Sequence, residues 1–154
     1  MMRRRVVIPV LVTTLLWSSA LDAQSVSADK LPTVVRAGYA SRFPGTRKVE
    51  WKRKSDRSYE AEFDLHGIGI AAKFDSTGTW LETESDITAQ QIPAAVNHAV
   101  GRSFKGYAII ERQRLERRSG PTLFELHLAN TTEILKTQFD SAGAVLMRQS
   151  KPRR

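Results

Sequence analysis

Three histidines, sixteen Asp+Glu residues and no cysteine set the side-chain chemistry open to this 154-residue chain. The lack of cysteine excludes a disulfide scaffold, a thiolate metal site and a cysteine nucleophile. His66, His98 and His127 are scattered, and none has a partner at the short spacing that would make a metal pair. Ser76 and Ser141 lie in turns without the G-x-S-x-G context of an activated serine. The segments Asp75-Ser-Thr-Gly78 and Asp140-Ser-Ala-Gly143 each offer one carboxylate, whereas calcium takes about six to eight oxygens, so turn capping is the better reading. No catalytic residue, metal or cofactor is therefore expected, and the chain reads as a non-enzyme.

The remaining candidates are charged or aromatic. Glu60, Glu62 and Asp64 alternate along one strand face, joined by Glu82 and Glu84 if the next hairpins pair normally. Two carboxyls about 5–10 Å apart could hydrolyse a glycoside. An antiparallel sheet with helices on one side, however, commonly leaves its other face in water, where charges belong. Lys73 shares that face and is expected to pair with Glu62. Trp80 either points outward beside Lys73, Glu62 and Glu82, the usual look of a binding hot spot, or is covered by a neighbouring loop or strand. Glu111-Arg-Gln-Arg-Leu-Glu-Arg-Arg118 reads as a long hairpin arm whose Arg112, Arg114, Arg117 and Arg118 could meet an acidic partner in a salt-sensitive way.

These residues must be positioned by a chain that repeats itself. Val26-Ser-Ala-Asp-Lys-Leu-Pro32 aligns with Ile87-Thr-Ala-Gln-Gln-Ile-Pro93 at a shift of 61, and the match continues through Phe43/Phe104 and Gly45/Gly106. Further on the shift is 65, with Phe74-Asp-Ser-Thr-Gly78 over Phe139-Asp-Ser-Ala-Gly143; the four extra residues fall between Glu111 and Thr122. Two similar units, each of about 60 residues, make a duplicated fold.

Each unit opens with a helix. Pro32 and Pro93 suit its first turn, and Thr88 to Gln91 fits a capping box for a short preceding turn. Val35, Tyr39 and Phe43 share one face, as do Ile92, Val96, Val100 and Phe104. Each unit then changes to a period of two: Tyr59, Ala61, Phe63 and Leu65, then Ile68, Ile70, Ala72 and Phe74, mark two strands of the first unit. Phe124, Leu126 and Leu128, then Leu135, Thr137 and Phe139, do the same in the second. Val49/Trp51 and Ile110 mark an earlier strand, and a fourth is expected near 79–83 and 144–148. The fold class is α+β, a two-layer tandem repeat in which each unit is a helix, with its short preceding turn, plus four antiparallel strands. The helices lie on one face of the sheet.

Residues 1–23 read as a secretory signal. Arg3, Arg4 and Arg5 precede an apolar stretch from Val6 to Trp17, which is too short and too interrupted to span a bilayer, and cleavage is expected after Ala23. An uncleaved anchor is the alternative, and Ala20 and Ala28 are alternative cleavage sites. With no cysteine there is no lipoprotein signal. Removing 1–23 takes away three Arg and Asp22, and the formal charge falls from +8 to +6 over 131 residues. The expected location is the periplasm or outside the cell. Nucleic acid is scarce there, so basicity implies attraction to acidic proteins, anionic polysaccharide or anionic lipid head groups instead.

Phe43-Pro44, then Val49-Glu-Trp51, Tyr59-Glu-Ala-Glu-Phe63, Ala72-Lys-Phe-Asp-Ser-Thr-Gly-Thr-Trp-Leu-Glu-Thr-Glu84 and Ile92-Pro-Ala-Ala-Val96 resemble the PepSY-like secreted proteins, which are similar in fold to the beta-lactamase inhibitor protein. The resemblance covers nearly all of residues 26–150. It weakens in the second unit, where Arg112 and Val145 replace the two Trp residues. It implies a periplasmic, non-enzymatic protein built by tandem duplication. The organisation is then a signal (1–23), PepSY-like units at 24–86 and 87–150, and a basic tail (151–154). The expected function is a binding or modulator protein, inhibitor-like in shape, that contacts a periplasmic or cell-surface protein through its exposed sheet face and hairpins. Partner-binding candidates are Trp80, Glu62, Lys73, Glu82, Arg112, Arg114 and Arg117. The alternatives are a small-ligand carrier or sensor using the sheet face as a cradle, and a hydrolase using the carboxylates.

Overall fold

The chain runs β1 (Ala23–Val26), α1 (Thr33–Arg42), β2 (Glu50–Lys54), β3 (Tyr59–Leu65), β4 (Ile68–Phe74), β5 (Trp80–Asp86), α2 (Ala94–Ser103), β6 (Ala108–Arg117), β7 (Leu123–Ala129), β8 (Glu133–Phe139) and β9 (Val145–Pro152). This computed structural model describes residues 23–153, so the expected signal, apart from Ala23, lies outside the described residues, as does Arg154. The strands form one antiparallel sheet in sequence order from β1 to β9. One-turn 3₁₀ helices, Ala28–Lys30 and Ala89–Gln91, precede the two α-helices.

The helix starts follow the sequence closely. Pro32 and Pro93 sit one position earlier than expected, at the helix caps, with extended backbone (ψ 138° and 141°). A proline there loses no intrahelical hydrogen bond. Thr88 and Gln91 form the expected capping box, in which the Gln91 side chain accepts from the Thr88 N–H at 2.8 Å.

One face of each helix is buried on the sheet. Under α1 the core is aromatic: Tyr39 has its ring 5.1 Å from Trp51, 5.5 Å from Phe63 and 6.1 Å from Phe74, with Val35, Ala61 and Ala72 filling between. Edge-on aromatic contacts of this kind add to the area they bury. Under α2 the core is aliphatic. Val96 and Val100 meet Leu126, Leu128 and Leu135, and Phe104 and Phe139 supply the rings.

The two Asp-Ser-x-Gly loops are hairpin turns, as expected. Asp75 accepts from the backbone N–H groups of Thr77 and Thr79, and Asp140 from those of Ala142 and Ala144. Each loop also tucks under a helix. A Cβ on Gly78 would come within 2.1 Å of the Val34 carbonyl, and one on Gly143 within 2.5 Å of the Ala95 carbonyl. Both glycines have positive φ, 83° and 85°.

Two features depart from the sequence reading. The first is β1, a ninth strand pairing with β2 through Ala23↔Lys54 to Val26↔Trp51. Its Ala-Gln-Ser-Val lacks apolar alternation and overlaps the expected cleavage site. The second is β6, where a free hairpin arm was expected. Residues 111–117 instead lie inside a ten-residue strand paired with β5 on one side and β7 on the other. The extra residues lengthen the strand that joins the two halves, and only 118–122 remain as loop.

Gly143→Ala combines a disfavoured φ with a backbone clash and is expected to cost about 3 kcal/mol. Gly101→Ala, in α2 with open space around it, is expected to stabilise by about 0.5–1 kcal/mol. Urea unfolding midpoints of the two variants check both signs.

Candidate functional site: the helix-free face of the sheet

Strand parity sends alternate residues away from the helices. On β2, β3, β4 and β5 these include Lys52, Lys54, Glu60, Glu62, Lys73, Glu82 and Glu84; on β6, β7 and β8 they include Glu111, Leu115, Arg117, Leu123, Glu125, His127, Lys136 and Gln138. No helix among the described residues covers this face.

The first half is held by cross-strand ion pairs. Lys52 Nζ bridges both carboxylate oxygens of Glu62 at 2.6 and 2.7 Å, and Lys54 meets Glu60 at 3.2 Å. The expected Lys73–Glu62 pair does not form. In this register Lys73 lies opposite Glu60 and Glu82, Ala71 lies opposite Glu62, and the Lys73 ammonium reaches Asp56 at 2.9 Å. Burial raises the Glu62 pKa despite the Lys52 partner. Asp56 is held well below the usual carboxylate range by the Ser58 hydroxyl, with help from Lys73.

The second half holds the most buried charges of the face. Glu125 is only 1% exposed and His127 5%. Lys136 Nζ lies 2.8 Å from the Glu125 carboxylate, and Gln138 donates to it at 2.9 Å. His127 stands between two carboxylates, with Nε2 3.4 Å from Glu125 and Nδ1 against Glu111. Leu115 and Leu123 are buried on the same face beside the charges.

Opposing shifts follow from this crowding. Burial would push the Glu125 pKa up, but His127, Lys136 and Gln138 overcome it and hold the group at about 2. Burial would lower the His127 and Lys136 values, yet their carboxylate neighbours raise both. Half-buried Glu84 has no comparable partner. Burial, then repulsion from Glu125, pushes its pKa up to about 7. A seam contact joins the halves: Arg117 reaches Glu82 at 3.6 Å and donates to Gln138 at 3.4 Å.

Of the seven expected contact residues, the sheet gathers four on this face, Glu62, Lys73, Glu82 and Arg117, and turns three away. Trp80 does not point outward. A β-bulge after Lys73 sets two residues of β5, Trp80 and Leu81, against Phe74, which returns Trp80 to the helix side. There the Arg42 guanidinium lies 3.5 Å above its ring, and the indole N–H donates to the Thr83 hydroxyl at 2.8 Å. Arg112 and Arg114, opposite Leu126 and Phe124, also take the helix side, and Arg114 pairs with Glu116 at 3.2 Å. The Glu125–His127–Lys136 cluster was not foreseen. Only the register of three strands brings the partners of His127 together. The signal available was a polar parity, Glu125 and His127, within a strand that is otherwise apolar.

This is a helix-backed antiparallel sheet whose bare face carries a pre-set charge network, without a metal-competent cluster among the described residues. The family profile of PepSY-like proteins, described provisionally as beta-lactamase-inhibitor-like, matches residues 17–70 and 57–147, and the chain belongs to this family. Among solved structures it is similar to a DUF2874 family protein from Bacteroides uniformis (TM-score 0.71, 18% identity, 77% of this chain and 88% of that one). It is also similar to a protein from Bacteroides eggerthii whose name assigns it provisionally to the periplasm (0.71, 18%, 78% and 88%). A third likeness is to a BLIP-like protein from Bacteroides fragilis (0.66, 20%, 80% and 89%). These likenesses establish the fold. No curated protein matches the chain. Among the described residues no helix is long and apolar enough to cross a membrane.

Two pH-linked outcomes test the cluster. Folding raises the Glu84 pKa from 4.5 to about 7, so ionised Glu84 weakens the fold increasingly from pH 4.5 to 7. Glu84→Gln is therefore expected to stabilise by about 1–3 kcal/mol at pH 8 and to change little at pH 4. Glu125 acts oppositely: its stabilisation is complete above the ordinary carboxylate range and is lost as pH falls to about 2. Lys136→Met, which takes a cation away from this buried carboxylate and leaves it His127 and Gln138, is expected to cost about 3 kcal/mol at pH 7. Urea unfolding across pH reads both effects.

Proposed function

We propose that this protein is a non-catalytic periplasmic binding protein that holds another protein against the helix-free face of its sheet and modulates it. The observation that carries this reading is the fixed charge network on a face that no helix among the described residues covers. Buried Glu125 and His127 and partly buried Lys136 form one ion-paired cluster, so the surface is ordered before a partner arrives, which reduces the entropy lost on binding. Exposed Arg117 and partly buried Lys73, Glu62 and Glu82 then offer charges at fixed positions, and charges so placed select a partner by complementarity. Carboxylates tied into ion pairs across a sheet also fit recognition better than hydrolysis, which needs two free carboxyls facing one bond.

Within this reading, residues 24–86 and 87–150 are two copies of one unit, a turn and helix followed by four strands, with the signal at 1–23 removed on export. Matched prolines at 32 and 93 and matched glycine approaches at 78 and 143 support the duplication. Fusing two copies edge to edge gives a sheet wide enough to receive a protein surface.

The test is affinity capture from periplasmic extract, with cross-linking to locate the contact. Lys73→Glu combined with Arg117→Glu is expected to abolish capture of whatever the parent protein holds. Trp80→Ala, on the helix side, is expected to keep it. Loss with Trp80→Ala and retention with the double variant would place the contact on the helix side and end this proposal.

A further inference from the structure

The basic surplus of the chain is distributed unevenly. Every ion pair among the described residues lies within the sheet and its turns. The helix layer is different. Lys30, Arg36, Arg42, Arg47 and Lys48 flank or occupy α1, and Arg102 and Lys105 end α2; all seven are exposed. Asp29 is the single acidic residue in segments 27–49 and 87–107, and none of the seven cations forms an ion pair among the described residues. The helix dipole accounts for Arg42 and Arg102, each in a last helical turn. It does not account for Lys30 and Arg36 nearer the start of α1, or for Arg47, Lys48 and Lys105 in the following loops.

We propose that the outer surface of the helix layer docks on a bilayer of anionic phospholipid, leaving the helix-free face turned toward the aqueous compartment. Opposite charge argues for an anionic partner, and the kind of surface narrows it. The anchors of a protein interface are most often Trp, Tyr and Arg packed together at its centre. Here Tyr39 and Phe104 are buried in the core, Phe43, Trp80 and Tyr107 are partly covered against it, and Val34, 51% exposed, is the one large apolar side chain exposed on α1. Base stacking on nucleic acid would need the same exposed rings. Seven cations without an ion pair among the described residues, spread over two helices and their loops, suit a broad anionic plane, where each adds attraction independently of fine geometry.

The test is co-sedimentation of the processed protein with phosphatidylglycerol-containing vesicles, against vesicles of phosphatidylcholine alone, at low and high salt. Binding is expected only to the anionic vesicles and is expected to fall steeply with salt. Each neutralised cation is expected to lower partitioning about fivefold, so joint replacement of Arg36, Arg47, Lys48 and Arg102 by Gln should lower it roughly a hundredfold or more. Circular dichroism confirms that this variant is folded, and the same N-terminus in both proteins cancels any contribution from that end. Arg57→Gln with Arg118→Gln, on sheet turns, is the control and is expected to bind as the parent does. Three results would overturn the proposal: equal binding to both vesicle types, equal loss in the control, or binding to heparin with none to anionic vesicles.

Discussion

The two ten-residue helices among the described residues cannot cover both faces of a nine-stranded sheet, and most of the described structure follows from that shortage. The face that receives the helices is built like any core, from Tyr39 and its ring partners in one half and a leucine-rich cluster in the other. The other face must be made stable without a lid. It achieves this with side chains that bury one another, long lysines laid over carboxylates and leucines set between them. Burying charge in this way is tolerable only when every member has a partner. Glu84, whose surroundings supply repulsion from Glu125 before attraction from Lys136, is where the arrangement falls short.

The halves solve the same packing problem with different chemistry. In the sequence alignment Tyr39 and Trp51 of the first half meet Val100 and Arg112 of the second, and an aromatic cluster stands beside an aliphatic one. What the halves keep in common is where the backbone must pass closely: the proline entering each helix and the glycine turn beneath it. Side chains can drift while volume is preserved, whereas a carbonyl two ångströms from a missing Cβ leaves no alternative.

Local rules carried the sequence reading far. Apolar spacing at three to four placed both helices, period two placed the strand pairs, and Asp-Ser-x-Gly placed two turns. The misreadings all arise where one residue's position depends on a distant one. Trp80 was assigned by counting parity through a hairpin, and a single bulged residue reversed the answer. The Arg112–Arg117 stretch looked like an arm because its charges hide a strand whose neighbours are supplied from both sides. His127 is half-hidden information of another kind: its own strand announces a buried environment, but Glu111 and Lys136 come from flanking strands that no local pattern pairs with it. Fold class is written in periodicity, and electrostatic sites are written in register.

Because strand order follows chain order, the first and last strands stand at opposite rims of the sheet. Eight steps of about 4.8 Å separate them by up to about 38 Å before twist shortens the span. Most domains bring their termini close and accept circular permutation through a short linker. In this architecture such a graft would need a bridge of about eleven extended residues, and a cargo fused at one rim would ride well clear of anything attached to the other.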